Sequence, residues 1–113
     1  MVFNYERKDA VIEAYGKKYP IPTKTAALMD GINEINKRFA ENKSNLDVVR
    51  ATKAGIALFI GEEETERIFP AEKEAELDTD ELSAFWWALN AESNRATQEV
   101  IAKYAPKPII QTK

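Results

Sequence analysis

The centre of the predicted core is an apolar run in the middle of the chain, Ile56-Ala57-Leu58-Phe59-Ile60, which Gly61 follows directly. A helix that is apolar on every side over its last turns belongs inside a fold. Glycine often follows the last helical turn, because it adopts a left-handed backbone without steric cost. At the other end, Ser44 or Asn45 can supply an N-cap. The sequence therefore predicts a central helix over residues 46–60.

A second amphipathic helix is predicted upstream, over residues 23–42. Thr23 or Thr25 can cap its first turn. Its apolar residues recur at spacings of four, three and four, which places them on one helical stripe. They are Leu28, Ile32, Ile35 and Phe39.

A short acidic helix is predicted directly after the central one, over residues 62–69. Its acids lie in the first turn, where they are favourable to the helix dipole, and Pro70 ends it. Residues 71–77 are predicted to be a polar, acidic connector.

The last helix is predicted over residues 79–105. Asp78, with Glu81 three residues later, resembles the start of a capping box. The apolar stripe of this helix is interrupted by Ser93, and it consists of Leu82, Phe85, Trp86, Leu89, Ala96, Val100 and Tyr104. Residues 107–113 contain Pro108 and no helical pattern, so they are predicted to be a flexible tail.

Residues 9–22 are predicted to form a β-hairpin. Glycine at the first central position suits a two-residue type II′ turn, which places the turn at Gly16-Lys17. That register pairs Ala14 with Tyr19 and Ile12 with Ile21. One face of the ribbon is then apolar, as expected for a half-buried hairpin, and it carries Ile12, Ala14, Tyr19 and Ile21.

The fold class predicted from these elements is mainly α (α+β). It has three main helices and a short acidic helix, and the N-terminal hairpin packs on them. The chain has 113 residues, a length that suits one domain.

Composition excludes several classes of chemistry. The chain has no cysteine and no histidine, so it offers no thiolate nucleophile, no zinc finger and no Ser-His-Asp relay. The net charge of −3 disfavours general nucleic-acid binding. The longest purely apolar run has five residues, and the N-terminus lacks a signal-peptide core, so we expect no membrane span and a cytoplasmic protein.

Catalytic and metal-binding patterns are missing from the sequence. The four glycines are scattered, and Ser83 and Ser93 lie inside a predicted helix without an activating histidine. The stretch Asp78 to Glu81 resembles a calcium loop, but Ser83 and Leu89 occupy the positions of the required Gly and Glu. We therefore predict no catalytic residue, no cofactor and no metal ligand. An enzyme acting through carboxylates alone would need a pocket with two facing acids.

Charge is distributed unevenly along the chain. Residues 62–81, here called the acidic segment, hold ten acids and two bases, a local charge of −8, so the remainder carries +5. One interpretation is purely structural: these acids cap helices and keep a connector exposed to solvent. The functional interpretation is that they bind a basic partner or another copy of the chain, more strongly at low salt. Four candidate contacts in the segment are Glu62, Glu63, Glu66 and Asp80.

The run Phe85-Trp86-Trp87 is the most distinctive local feature of the sequence. Consecutive helical residues lie about 100° apart, so three aromatic residues in a row cannot all face one core. Phe85 and Trp86 share the apolar stripe, whereas Trp87 lies beside small and polar residues. Trp87 is either covered by another part of the chain or exposed as an interface anchor. Tyr15, on the hairpin, is a further candidate partner contact.

The order of motifs resembles the short tail assembly chaperone family of siphophages and prophages of Gram-positive bacteria. The hairpin has the form Ile-x-x-x-Gly-Lys-Lys-Tyr-x-Ile (residues 12–21). The helix break reads Leu-Phe-Ile-Gly-Glu-Glu-Glu-x-Glu-x-Ile-Phe (residues 58–69). The last helix opens on Asp-x-Asp-Glu-Leu (residues 78–82) and closes on Lys-Tyr-Ala-Pro (residues 103–106). The Trp86-Trp87 pair and the proline-containing end depart from the family pattern.

The resemblance implies a non-enzymatic protein that works in the cytoplasm of a bacterial host while phage tails are built. Such chaperones coat the tape measure protein until the major tail protein polymerises around it, and a programmed frameshift often adds a C-terminal extension to some copies. The resemblance thus implies a homo-oligomer with no cofactor, bound to a tape measure or other tail protein. The alternative is a small acidic protein-protein interaction module, such as an adaptor, an inhibitor or an anti-host protein.

Overall fold

A computed structural model describes residues 2–3, 10–41 and 44–104 of the chain. The predicted element ends at residues 9, 42 and 105, and the predicted tail, lie outside these ranges. In chain order the elements are β1 (Val11–Ala14), β2 (Lys17–Pro20), α1 (Ala26–Glu41), α2 (Asn45–Ile60), α3 (Glu62–Ile68), a 3₁₀ helix (Ala71–Glu76) and α4 (Thr79–Tyr104). The mainly α fold with an N-terminal hairpin packed on the helices is confirmed.

Helix α2 is the centre of the fold. It contacts α1, α3, α4 and the 3₁₀ helix, and its Ile56 is fully buried. The apolar run that ends α2 therefore lies in the core, as the sequence predicts. Helices α1 and α4 both pack on α2.

Helix ends follow the predicted capping chemistry closely. Ser44 Oγ accepts a hydrogen bond from the Asp47 amide at 3.1 Å and starts α2. Thr25 Oγ1 accepts from the Leu28 amide at 3.1 Å, so α1 begins at residue 26 and not at the predicted residue 23. Asp78 Oδ1 accepts from the amides of the first turn of α4.

The connector predicted over residues 71–77 is wrong in part, because Ala71–Glu76 forms a 3₁₀ helix. Side chains from neighbouring elements hold it in place. The Ala71 amide donates to Glu66 Oε2 at 2.8 Å, and Lys53 of α2 donates to Glu74 at 2.8 Å. The bond between Lys53 and Glu74 joins residues 21 positions apart, so the local sequence of the segment does not reveal it.

The predicted hairpin turn is also wrong in position. The central residues are Tyr15 and Gly16, with φ of 53° and 80°, as a type I′ turn requires. Ile12 consequently pairs with Tyr19. Each partner differs from the predicted one by two residues, so every side chain keeps its face. The predicted apolar face is buried or half-buried in the structure.

Trp86 of α4 packs against α2 at Gly55. A Cβ atom built on Gly55 of α2 would lie only 2.5 Å from Trp86 Cζ3. The rings of Phe39 and Phe59 meet the indole edge-on, with centroids 6.3 and 6.0 Å away. The indole thus occupies space that only a glycine leaves open.

Candidate partner-binding surfaces

Tyr15 ties the hairpin to the helices. Its ring meets Phe69 and Phe85 edge-on, with centroid distances of 5.8 and 5.3 Å. Its hydroxyl donates to Glu81 Oε2 at 2.7 Å, and burial together with this bond raises the pKa of the Tyr15 hydroxyl. The side chain is 39% exposed. Only that remaining fraction of Tyr15 is available to a partner.

Glu64 is a second anchor of the hairpin, and no sequence pattern predicted this role. Its carboxylate accepts hydrogen bonds from the Tyr19 hydroxyl at 2.7 Å, from Arg67 Nε at 3.1 Å and from Lys17 Nζ at 3.1 Å. Arg67 Nη2 also donates to the Tyr19 oxygen at 3.0 Å. These donors lower the pKa of Glu64 to about 2. The hairpin is therefore fixed to α3 by a charged cluster.

A buried lysine ties the acidic segment to α2. Lys53 is 6% exposed, and its Nζ donates to Glu66 Oε1 at 2.9 Å and to Glu74 Oε2 at 2.8 Å. Arg50 Nε donates to the other Glu74 oxygen at 3.0 Å. Burial by itself would lower the pKa of Lys53, but the bonds to Glu74 and Glu66 outweigh it and raise that pKa. The predicted contact Glu66 is thus engaged inside the chain.

An open depression of about 250 Å³ lies at this lysine and is lined by Glu66, Glu74 and Glu62 among others. It brings the carboxylates of Glu66 and Glu74 together at Lys53, and paired carboxylates are the arrangement that an enzyme without histidine would need. Hydrogen bonds from Lys53 lower the pKa of both Glu66 and Glu74, so neither is a proton donor near neutrality. The bonds of Lys53 to Glu66 and Glu74 join α2, α3 and the 3₁₀ helix.

The remaining predicted acids lie on the surface. Glu62, Glu63 and Asp80 are exposed and form no ion pair with any residue in the described ranges. Three cations from outside the acidic segment, Lys17, Arg50 and Lys53, pair with acids inside it. They reduce its net charge from −8 to −5.

Trp87 is exposed. Its neighbours Phe85 and Trp86 are 7% and 4% exposed, whereas Trp87 is 67% exposed. The helical geometry predicted this split between the three aromatic residues, and the structure selects the exposed alternative for Trp87. The hairpin contacts the Phe85 side of α4 and leaves Trp87 uncovered.

The surface around Trp87 carries no charge for about five helical turns. At about 100° per residue, the side chains within about 60° of Trp87 between residues 83 and 101 are all uncharged. They form what we call the Trp87 face: Ser83, Ala84, Trp87, Asn90, Ala91, Asn94, Gln98 and Ile101. Across the whole chain 31% of residues are charged. Interface cores are depleted of charge and enriched in tryptophan, so this face has the composition of a binding surface.

A groove runs beside the Trp87 face, between α1 and α4. It has a volume of about 230 Å³ and is lined by Lys24, Met29, Ile32, Asn33, Asn90, Ser93 and Asn94. Lys24 Nζ donates to Asn94 Oδ1 at 2.7 Å, and the buried Ser93 Oγ has no hydrogen-bond partner in the part of the chain that the structure describes. Sequence reasoning missed this α1/α4 groove, because its walls are far apart in the chain. Ser93, the interruption in the apolar stripe, was the one available signal.

The described ranges contain no group of three or more His, Cys, Asp or Glu side chains placed to hold a metal ion. Among the same residues, no helix has both the length and the apolar character needed to cross a bilayer. A scan against protein-family models and searches of curated proteins and of solved structures find no match to the chain.

Proposed function

We propose that this protein is a non-enzymatic tail assembly chaperone, which binds the long helices of a tape measure protein in the cytoplasm of a bacterial host. The exposed Trp87, set in an uncharged face on a highly charged chain, is the observation that supports a binding role. The motif order over residues 10–106, which resembles the chaperone family, supplies the kind of client.

The Trp87 face suits a helical client. A helix laid along α4 would cover Trp87 and exclude water from an uncharged strip, with no charged side chain left buried and unpaired. Exposed tryptophans in such positions commonly contribute 2 kcal/mol or more to binding, roughly thirtyfold in affinity. Met29, 51% exposed on α1, lies across the groove and extends the apolar contact.

Co-expression with a coiled-coil tape measure protein tests the proposal. The wild-type chain should move the client from the insoluble to the soluble fraction, and the Trp87→Ala variant should leave most of it insoluble. Glu72→Ala is the matched control, because Glu72 is exposed and makes no ion pair in the described ranges. A client that stays insoluble with the wild-type chain would refute the proposal.

The exposed acids favour a second candidate, an acidic protein-protein interaction module. Glu62, Glu63 and Asp80 are free to meet a basic partner. Under this alternative, the double variant Glu62→Gln/Glu63→Gln would abolish partner binding and Trp87→Ala would leave it unchanged. The chaperone proposal predicts the opposite ranking of these variants.

A further inference from the structure

We infer that the α1/α4 groove receives an acidic side chain from the helical partner that covers the Trp87 face. The inference rests on the proposed binding function and adds a chemical preference to it. Three independent features of the groove support a carboxylate occupant: its charge, the helix end that borders it and an unpaired buried hydroxyl.

The described residues that line the groove include one cation and no anion. Lys24 is the only charged residue among them, and none of them is a carboxylate that could neutralise it. The ammonium has three donors, and the bond to Asn94 Oδ1 uses one of them. A basic partner side chain would be repelled by Lys24, whereas an acidic one would be attracted.

The N-terminal end of α1 adds to the positive potential. This 16-residue helix has no acidic residue in its first turn, and Thr25 caps a single amide, that of Leu28. Uncapped amides at a helix N-terminus favour a nearby negative charge. Met29 and Ile32, in the first two turns of α1, line the groove and place it close to this end.

Ser93 supplies an unused hydrogen-bond donor. Its side chain is 1% exposed, and its hydroxyl has no hydrogen-bond partner among residues 2–3, 10–41 and 44–104. Three other helical hydroxyls bond the carbonyl four residues earlier: Thr52 to Val48, Thr65 to Gly61 and Thr97 to Ser93. Burying a hydroxyl without a partner is costly, and a carboxylate in the groove would remove that cost by accepting a hydrogen bond from it.

The size of the groove limits what enters it. A space of about 230 Å³ accommodates one side chain and not a helix. The backbone of the partner helix would therefore lie on the Trp87 face, with a single Asp or Glu reaching into the groove between Lys24 and Ser93.

Binding of three synthetic amphipathic helical peptides tests the inference. The peptides differ only at one central position on the apolar face, which is Glu, Gln or Lys, and their affinities are measured by fluorescence anisotropy. A charge-assisted hydrogen bond in place of a neutral one should make the Glu peptide bind about tenfold tighter than the Gln peptide. The Lys peptide should bind weakest.

Two variants test whether Lys24 and Ser93 cause the preference for the Glu peptide. Lys24→Met and Ser93→Ala should each reduce the ratio of Glu to Gln affinity while leaving the Gln peptide nearly unchanged. Ser93→Ala should not lower the melting temperature, because the hydroxyl it removes is unpaired. Lys18→Met, on the exposed face of the hairpin, is the control and should keep the wild-type ratio.

Equal affinity of the Glu and Gln peptides, or no binding of any peptide, would overturn the inference. A preference that survives in Lys24→Met would also overturn it. These failures are distinct from failure of the proposed function, which is judged by the solubility of the tape measure protein with the wild-type chain. If the chain keeps the tape measure protein soluble but binds the Glu and Gln peptides equally, the proposed function stands and the carboxylate site in the groove is refuted.

Discussion

Tyr15 combines a strained backbone with several side-chain contacts. A positive φ costs a non-glycine residue about 1 to 2 kcal/mol. The ring contacts to Phe69 and Phe85 and the hydroxyl bond to Glu81 offset that cost. Because the compensation comes from helices far along the chain, sequence reasoning placed the turn one residue too late, where glycine would take the first central position.

Glu64 dominates the acid sensitivity expected at the hairpin. Its pKa of about 2 lies well below the value of about 4.3 for an unfolded glutamate. Because the folded pKa is the lower one, the contribution of Glu64 to stability is complete above about pH 4.3 and disappears as the pH falls towards about 2.

We therefore expect Glu64→Gln to lower the free energy of unfolding at neutral pH and to flatten its decline between about pH 5 and about pH 2. Some decline should persist, because the pKa values of Glu66 and Glu74 are also lowered. Urea denaturation at several pH values measures this. Glu72→Gln should keep the wild-type profile, and an unchanged profile in Glu64→Gln would contradict the role of the cluster.

At the scale of elements, the contact between α2 and α4 depends on a missing side chain. Gly55 lets the Trp86 indole approach the α2 backbone, and Phe39 and Phe59 fill the space at its edges. Gly31 of α1 differs, because its nearest neighbour is the flexible, half-buried side chain of Leu58.

These two glycines make a matched pair of substitutions. Gly55→Ala should destabilise the protein by about 1 to 3 kcal/mol. The energetic cost of displacing the Trp86 indole exceeds the gain of about 1 kcal/mol in helix propensity. Gly31→Ala places its Cβ 3.0 Å from Leu58 Cδ2, which can move, so we expect a change below about 1 kcal/mol. Thermal or urea unfolding measures both. Equal stabilities of the two variants would show that the indole is not held against Gly55.

Secondary-structure elements were predictable from the sequence where the residues that determine them lie within or next to the element. Periodicity and capping residues predicted four helices whose first residues are correct to within three positions, since Ser44, Gly61 and Asp78 act on neighbouring residues. The 3₁₀ helix and the hairpin turn were missed because Glu66, Lys53 and Phe85 fix them from other elements.

At the scale of the whole molecule, ion pairs within the chain neutralise part of the charge of the acidic segment. Lys17, Arg50 and Lys53 join the acidic segment to the hairpin and α2. The exposed acids that form no ion pair in the described ranges are left to face other molecules. From sequence alone the segment was seen as strongly charged, but which acids stay free depends on the fold.

Charge-driven self-association stays a prediction, now limited to those exposed acids. We expect the oligomer to become smaller as salt rises from roughly 50 to 500 mM, because screening weakens contacts between exposed charges. Sedimentation velocity measures the change, and Glu62→Gln/Glu63→Gln should reduce the oligomer at low salt. A size that is constant across the whole range would refute charge-driven assembly.

The candidate site was only partly visible in the sequence. Trp87 stood out because helical geometry cannot bury three consecutive aromatic residues on one side. Its exposure depended on where the hairpin packs, and Tyr15 holds the hairpin on the Phe85 side of α4. The groove could not be predicted, because it forms only when α1 and α4 pack on α2, and no local sequence pattern determines that packing.

The affinity of the purified chain for a soluble coiled-coil fragment of a tape measure protein tests the binding role most directly. Isothermal titration of wild type and Trp87→Ala, with Glu72→Ala as control, gives the three dissociation constants. We expect Trp87→Ala to weaken binding roughly thirtyfold at unchanged thermal stability, because an exposed anchor contributes to the complex and not to the core. Equal affinity of Trp87→Ala and wild type would contradict the assignment of the Trp87 face as the client-binding surface.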